Sequence, residues 1–338
     1  MLYQVTILPS DHQLLVADNE SVLDAALRER GSVLPYGCRN GTCGSCMATI
    51  QSGQVNYPED RPPGLSEREQ AEGKALLCQA RPGSDLVIVA REVKTSGDLV
   101  VKTLPCRVEQ RELLAPDVMR LFLKLPNTER LQFLAGHYID ILLADGRRRS
   151  FSLANPPHAD ELLELHIRQV PGGFFTDYLF NRMKDKALLR FQGPLGTFAL
   201  SEDSPRPIIL IGGGTGFAPL KGMLEHAFHI GLDRPLHLYW GARAKVDLYL
   251  DALPRRWTAE HANFRYTPVL SEPHPEDQWP GRTGWVHEAV AADYPELRGH
   301  DVYMSGPPPM IQAAKAAFAD RGLPAEQLFY DSFEFAPR

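Results

Sequence analysis

The chain has 338 residues, 43% of them hydrophobic, with 36 Lys and Arg against 42 Asp and Glu for a net charge of −6. That length exceeds one comfortable hydrophobic core and implies two or three domains, and so small a net charge excludes a basic field for nucleic acid or an anionic membrane. The longest apolar runs, such as Pro207 to Ile211, are strand-length and far short of a membrane span. The opening residues Met1 to Leu8 lack the charged leader and long apolar run of a signal peptide, and five cysteines suit a reducing compartment. A cytoplasmic location is therefore expected.

Residues 1–93 read as a β-rich module with two helices. Tyr3–Leu8 and Leu14–Ala17 form a hairpin pattern, and Ser21 to Arg30 is a helix with Ser21 and Asp24 at its start and Gly31 at its end. A strand from Met47 to Ile50, a short helix from Leu65 to Glu72 and a last strand from Asp85 to Val89 complete it. Between helix and strand lie Cys38, Cys43 and Cys46, and Cys78 follows much later. C-x4-C-x2-C with a distant fourth cysteine is the plant-type spacing for a [2Fe–2S] cluster. Each iron needs two thiolates, so a tight loop supplies three and a separate segment closes the cage. Gly37, Gly41 and Gly44 let the backbone curl around a sulfur-rich anion. A zinc ribbon would pair two C-x2-C units, and disulfides find no sensible geometry among three cysteines interleaved with glycine. Cys106 stands apart as a small buried hydrophobe at a strand start.

Residues 94–103, carrying Lys94, Thr95, Ser96 and Gly97, read as a linker. Six strand-like runs then fall at 106–112, 118–125, 137–143, 148–154, 161–170 and 187–192, with one helix near Phe174 to Met183. Many strands with Pro and Gly turns imply a closed antiparallel barrel over residues 104–203. From 204 to 338 the order becomes strand, Gly-rich turn, helix, strand: Ile208–Ile211, Pro219–Ile230, Leu236–Trp240. That alternation implies a parallel α/β domain, with Ser271 to Gly284 as a mobile insertion. No internal repeat is present.

Arg149, Phe151 and Leu153 share one face of a strand, with Ser150 and Ser152 on the other. An arginine can take a pyrophosphate bidentately and an aromatic can cover a flat ring, although a solvated strand with a basic patch has the same local pattern. Gly172, Gly173 and Thr176 open a helix, where bare N–H groups favour an anion, or mark a simple turn. Gly212, Gly213, Gly214, Thr215 and Gly216 follow an apolar strand and precede a helix, the context of a dinucleotide-phosphate turn. The next strand ends at Arg243 rather than at a ribose-holding acid. Ser305, Gly306 and Pro307 are, locally, a Pro-rich turn before a helix.

In this order the motifs resemble the ferredoxin reductase-like iron–sulfur flavoproteins, and the resemblance covers nearly the whole chain. It implies a multidomain α+β ferredoxin-like (β-grasp) module, an antiparallel β-barrel flavin domain and an α/β parallel-sheet nicotinamide domain. Arg149 then matches the family's pyrophosphate arginine, Phe151 replaces a ring-packing tyrosine, and Ser152 matches the serine near the flavin's reactive nitrogen. Leu165–Arg168 resembles the strand carrying further flavin contacts, which assigns His166 and Arg168 to the cofactor. Thr176 stands where many relatives carry serine, and Ser305 where they carry the cysteine of C-G-P-P beside the nicotinamide. The resemblance implies a path from NADH to FAD to [2Fe–2S] to an electron-accepting protein, a dehydrase or an oxygenase component, with Ser152 and Ser305 as catalytic residues. Leu104–Cys106, Leu134–Asp140, Gly193–Phe198 and Gly214–Lys221 are similar to the CDP-6-deoxy-3,4-glucoseen reductases. Reductases of ring dioxygenases and multicomponent monooxygenases share the domain order, and a redox sensor without turnover is a further alternative. NADH is expected over NADPH, because Arg243 is a lone candidate for a 2′-phosphate and Asp247 would repel one. Eight Lys and Arg against twelve Asp and Glu in residues 1–93 leave a mildly acidic surface, either a docking face for a basic partner or simply solvated.

Overall fold

A computed structural model of the chain describes residues 1–29, 34–92 and 99–334. Two compact units divide it, Met1–Leu99 and Val100–Phe333. The expected helix stop at Gly31 and linker residues Lys94–Gly97 lie outside the described residues.

The first unit grows from alternation. Val5 and Ile7 of β1 (Leu2–Leu8) and Leu14 and Val16 of β2 (His12–Ala17) point inward, and the hairpin pairs Val5 with Leu14. Helix α1 (Val22–Arg28) begins where the Ser21 hydroxyl accepts the Asp24 N–H at 3.0 Å, and it buries Val22, Leu23, Ala25 and Ala26. Strand β3 (Met47–Ser52) follows the cysteine loop, then a short pair of β4 (Val55–Asn56) with β6 (Arg81–Pro82). Helix α2 covers only Glu67–Ala71, shorter than the expected 65–72. Ser66 and Glu69 close a capping box that sets its start, and Leu65 is a fully buried anchor before it. With β5 (Lys74–Leu76) and β7 (Leu86–Val89) the sheet order is β2-β1-β7-β3-β5, and β1 and β7 run parallel. This is the β-grasp arrangement.

The second unit starts with six antiparallel strands: β8 (Lys102–Ala115), β9 (Val118–Lys124), β10 (Tyr138–Leu142), β11 (Arg148–Ser152), β12 (Leu163–Arg168) and β13 (Leu188–Leu195). Their order is β11-β10-β13-β8-β9-β12, and a bridge between Leu153 and Leu165 brings the two edges together, which closes the barrel. Strand β8 outruns the expected 106–112. Register shifts at Val108/Gln110 and Leu113/Ala115 break its period, so alternation alone loses its ends. Helix α3 (Phe174–Asn181) adds Phe175 and Leu179 to the barrel core.

The remaining chain forms β14 (Ile208–Gly213), α4 (Phe217–His229), β15 (Leu236–Ala242), α5 (Ala252–Glu260), β16 (Phe264–Leu270), β17 (Arg282–Thr283), α6 (Val286–Asp293), β18 (Asp301–Gly306), α7 (Pro308–Ala319) and β19 (Leu328–Ser332). The sheet is parallel throughout, in order β17-β16-β15-β14-β18-β19. On β14, Ile208 and Leu210 join one core and Ile209 and Ile211 the other, so both faces are covered by helices. The chain leaves β14 on one side and returns to β18 on the other, which makes their carboxyl ends a topological switch point. The segment expected to be mobile, 271–284, holds a 3-10 turn at Pro275–Asp277 and strand β17, tied by the Trp279 indole donating to Arg282 O at 2.9 Å. No helix among the described residues is long and apolar enough to cross a membrane.

One buried imidazole, His137, and one half-buried, His237, are expected to make the fold acid-sensitive. His137 accepts the Leu134 N–H at its Nδ1, and burial lowers its pKa from 6.5 to about 4. His237, held between Tyr294 and Thr267, is lowered to about 4 chiefly by burial as well. A ring that folds neutral takes its proton more readily once unfolded, so folding is favoured above pH 6.5 and weakens as pH falls. The loss for His137 alone between pH 7 and 4 is about 3 kcal/mol. Urea midpoints of the second unit are expected to drop across that range and to drop less in His137→Asn; midpoints independent of pH would contradict this.

Candidate functional site

The cysteine loop is built by left-handed residues. Arg39, Gly41 and Gly44 have φ of 58°, 79° and 77°, which folds the chain tightly back on itself. The Cys43 N–H points at the Cys38 sulfur (3.4 Å), and the Cys38 and Ser45 N–H groups point at the Cys43 sulfur (both 3.5 Å). The Gln79 amide donates to Arg39 O at 3.0 Å and ties the Cys78 segment to the loop. Gly64 buttresses it from below: a Cβ there would lie 2.4 Å from Thr42 O. Nothing in the local sequence announced that support.

The five cysteines form no disulfide. Cys38 contacts Cys43, and Cys46 contacts Cys78, each pair sharing a hydrogen bond. Cys38 is lowered to about 5 chiefly by the bond from Cys43, and Cys78 is lowered chiefly by Cys46, while Cys43 and Cys46 are raised by the same contacts. Among the described residues no three His, Cys, Asp or Glu side chains are grouped to hold one ion. Two thiol pairs suit a two-iron cluster, in which each iron takes two thiolates. Cys106 sits alone in the barrel core, its thiol pushed up to about 12 by burial, and is unsuited to ligation.

On β11, Phe151 is half-buried and packs against Phe175 with ring centroids 5.5 Å apart. The Arg149 guanidinium donates to Arg148 O and has no ion-pair partner among the described residues. Gly172 has φ of 74° with open space beside it, and α3 begins at Gly173 without a side-chain cap. Thr176 clamps this turn, its hydroxyl bonded to Val170 and Gly173. A Cβ on Gly173 would lie 2.6 Å from that hydroxyl oxygen. An unpaired cation and an uncapped helix start suit a pyrophosphate.

At the switch point the two Gly-rich segments touch. A Cβ on Gly216 would lie 1.9 Å from Ser305 O, one on Gly213 would lie 2.8 Å from the Pro307 ring, and one on Gly306 would lie 2.8 Å from Gly213 O. The Trp240 indole holds Gly214 O at 2.9 Å. Gly212 pairs with Ser305 across the sheet, and Thr215 is half-buried in the turn before α4. Ser305 is fully buried and its hydroxyl has no partner among the described residues, an orphan that a bound nicotinamide could satisfy. Ser152 of the barrel donates to Asp331 of β19 at 3.0 Å, and Asp331 is the cross-strand neighbour of Ser305. Ser152, Ser305 and Asp331 thus meet where barrel and nicotinamide domain adjoin. Asp331 was missed in the sequence, because a lone acid in a terminal strand gives no sign of which strand it pairs with.

His166 and Arg168, which the family resemblance assigns to the cofactor, both have protein partners in the structure. The His166 ring is buried with Nδ1 at 3.0 Å from the Tyr249 hydroxyl and Nε2 at 2.9 Å from Glu164. Arg168 pairs with Asp247 and Asp117, both at 3.2 Å, and its guanidinium would be 3.1 Å from a Cβ on Gly214. Both side chains face the nicotinamide domain. Asp247 also accepts the Ala244 N–H at 3.2 Å. Its charge is engaged by Arg168 rather than directed at a nucleotide ribose, so the repulsion expected of it is weakened.

Three domain families match in order: the 2Fe-2S iron-sulfur cluster binding domain at residues 5–83, the oxidoreductase FAD-binding domain at 105–200 and the oxidoreductase NAD-binding domain at 210–316. The chain is 38% identical to the CDP-6-deoxy-L-threo-D-glycero-4-hexulose-3-dehydrase reductase of Yersinia pestis, over 98% of this chain and 99% of that protein. It is 36% identical to reductase component 2 of the terephthalate 1,2-dioxygenase of Comamonas, over 100% and 99%. Its fold matches the crystal structure of the Amycolatopsis cytochrome P450 reductase GcoB with a TM-score of 0.80 and 34% identity, covering 98% of each chain. The chain belongs to the ferredoxin reductase-like iron–sulfur flavoproteins, and it is an NAD(P)H-dependent oxidoreductase with 2Fe-2S, FAD and NAD domains.

Two outcomes are expected at these sites. Iron and acid-labile sulfide should each approach about two per chain, unchanged in Cys106→Ser and lost in Cys78→Ser; the reverse pattern would overturn the ligand set. Asp331→Ala should keep FAD bound yet slow flavin reduction by NADH about tenfold or more, because the Ser152 hydroxyl loses its orienting acceptor. Stopped-flow absorbance at the flavin band measures it, and an unchanged rate would remove Asp331 from the site.

Proposed function

We propose that the chain is the reductase component of a multiprotein system, carrying electrons from NADH through FAD and the [2Fe–2S] cluster to a separate acceptor protein. The observation that carries the reading is the Ser152–Asp331 bond beside Ser305, which joins flavin strand and nicotinamide strand at one point. Bound FAD exchanges electrons in pairs with the nicotinamide and singly with the cluster, chemistry that belongs to the cofactor. The chain's own residues bind and orient. Cys38, Cys43, Cys46 and Cys78 hold the cluster. Arg149 and the Gly172–Thr176 helix start take the FAD pyrophosphate, and Phe151 packs beside the ring. Gly212–Gly216, Gly306 and Pro307 seat the nucleotide, and the Ser305 hydroxyl orients the nicotinamide. Asp331 accepts the hydrogen bond of the Ser152 hydroxyl and so fixes the orientation of that oxygen. Domain limits of 1–93, 104–203 and 204–338 and a cytoplasmic location accompany this reading, the last supported by five cysteines that form no disulfide.

For the acceptor, a dehydrase holding a sugar–cofactor adduct is favoured by full-length similarity to the Yersinia reductase. An oxygenase component is the second reading, supported by the Comamonas relative. NADH remains the proposed donor because Arg243 and Lys245 are the exposed cations at the end of β15, and the neighbouring Arg168 is engaged by Asp247 and Asp117.

NADH should reduce cytochrome c steadily, and Cys43→Ser should abolish that while flavin reduction continues. Turnover indifferent to Cys43 would refute the path through the cluster, and no turnover at all would favour a sensor. Reduction of a purified dehydrase against that of an oxygenase component then decides the acceptor. A kcat/KM ratio favouring NADPH by tenfold, about 1.4 kcal/mol, would show that Arg243 or Lys245 reads a 2′-phosphate.

A further inference from the structure

Strand β12 carries Glu164, His166 and Arg168 at every second position, so the three share one face, while Leu163, Leu165 and Ile167 enter the barrel core. The charged face meets the nicotinamide domain at three points. Glu164 Oε2 accepts Lys221 of α4 at 2.9 Å, His166 meets the Tyr249 hydroxyl at 3.0 Å, and Arg168 meets Asp247 at 3.2 Å. Lys221 is buried and uses all three ammonium protons, on Glu164, on Glu225 (3.0 Å) and on Ala154 O (3.1 Å). Burial lowers His166, which favours the neutral ring. The consistent proton arrangement has Tyr249 O–H donating to Nδ1 and Nε2–H donating to Glu164. Burial would raise Glu164, yet His166 and Lys221 outweigh it and hold the carboxyl at about 2.

The endpoints of this network are the two halves of the site. Ala154 lies two residues beyond Ser152, and Lys221 lies one turn into the helix that starts at the Gly-rich loop. A Cβ on Gly222 would sit 3.0 Å from Asn155 O, so backbone and helix are already in contact there. Resting on the reductase reading, we propose that Lys221, with Glu164, His166 and Tyr249, is a positioning device that sets the spacing between the flavin strand and the nicotinamide loop. None of these side chains reaches the reacting atoms; they act through Ser152 and Gly214–Gly216. A buried ion pair is a poor source of stability and a good source of fixed geometry, which is the property a two-cofactor site needs.

The test uses the full holoprotein with Lys221→Met and the double variant Glu164→Gln/Lys221→Met. The single variant should melt lower, since it leaves a carboxylate buried without its cation, and the double should recover most of that loss. Both should retain FAD and iron, reduce their flavin with NADH about tenfold or more slowly, and lose the long-wavelength absorbance of nicotinamide stacked on flavin. Amide exchange in the resting protein should rise across residues 212–218 in both. A double variant with recovered melting, normal exchange and a wild-type rate would overturn the proposal and leave the network purely structural. Should Lys221→Met fail to fold, Tyr249→Phe decides the same question, with an expected slowing of about two- to fivefold and an unchanged rate as the contrary result. If the wild-type flavin is not reduced by NADH, the reductase reading falls; if it is reduced and the variants match it, only the positioning role falls.

Discussion

The approach of Gly216 to the Ser305 carbonyl is the tightest constraint in the second unit, and the site depends on it. A side chain at 216 would overlap that oxygen, at 1.9 Å. Contact is possible because β14 and β18 are adjacent parallel strands whose carboxyl ends open at a switch point. Once the two turns touch, the register of the sheet places Asp331 beside Ser305, and Asp331 in turn meets Ser152 of the barrel. One backbone contact thus propagates through three strands to align two domains. Any residue larger than glycine at 213, 216 or 306 would push them apart.

Charge does similar work at lower density. Asp301 and Arg234, both buried, anchor the opposite end of the parallel sheet, where Arg206 also meets Asp301 at 2.7 Å. The Lys221 network sits at the barrel contact. In both clusters opposite charges meet, which is the condition under which buried charge is tolerated at all. Between them the interior is apolar: Phe217, Trp240 and Trp257 pack in the core that also takes Ala135 and Phe198 from the barrel. Barrel and nicotinamide domain therefore share a core rather than merely abutting, consistent with their grouping as one compact unit.

Much of the architecture was legible because each domain announces itself by a different period. Alternation marked the six barrel strands, and the strand–glycine–helix order marked the parallel sheet. The cysteines were legible for a chemical reason, since thiolate ligation tolerates few spacings. What the sequence withheld was whatever depends on which strand lies next to which. Asp331 becomes functional only through its neighbour Ser305, and Gly64 only through Thr42. The length of α2 was misjudged because Leu65 looked helical by apolarity, whereas it is the buried residue that precedes a cap at Ser66.

His166 and Arg168 show the same boundary most sharply. Period-2 reading places them on one face of β12, and that is what the structure has. Periodicity names a face but never what stands across from it. Lys221, Tyr249 and Asp247 stand on that side, brought by a helix and a loop more than 50 positions away in the chain. A strand face bearing an acid, a histidine and an arginine is too polar for a barrel core, but the same alternation serves equally well against solvent or against a charged neighbour. Here the neighbouring domain supplies both signs, Lys221 for Glu164 and Asp247 for Arg168.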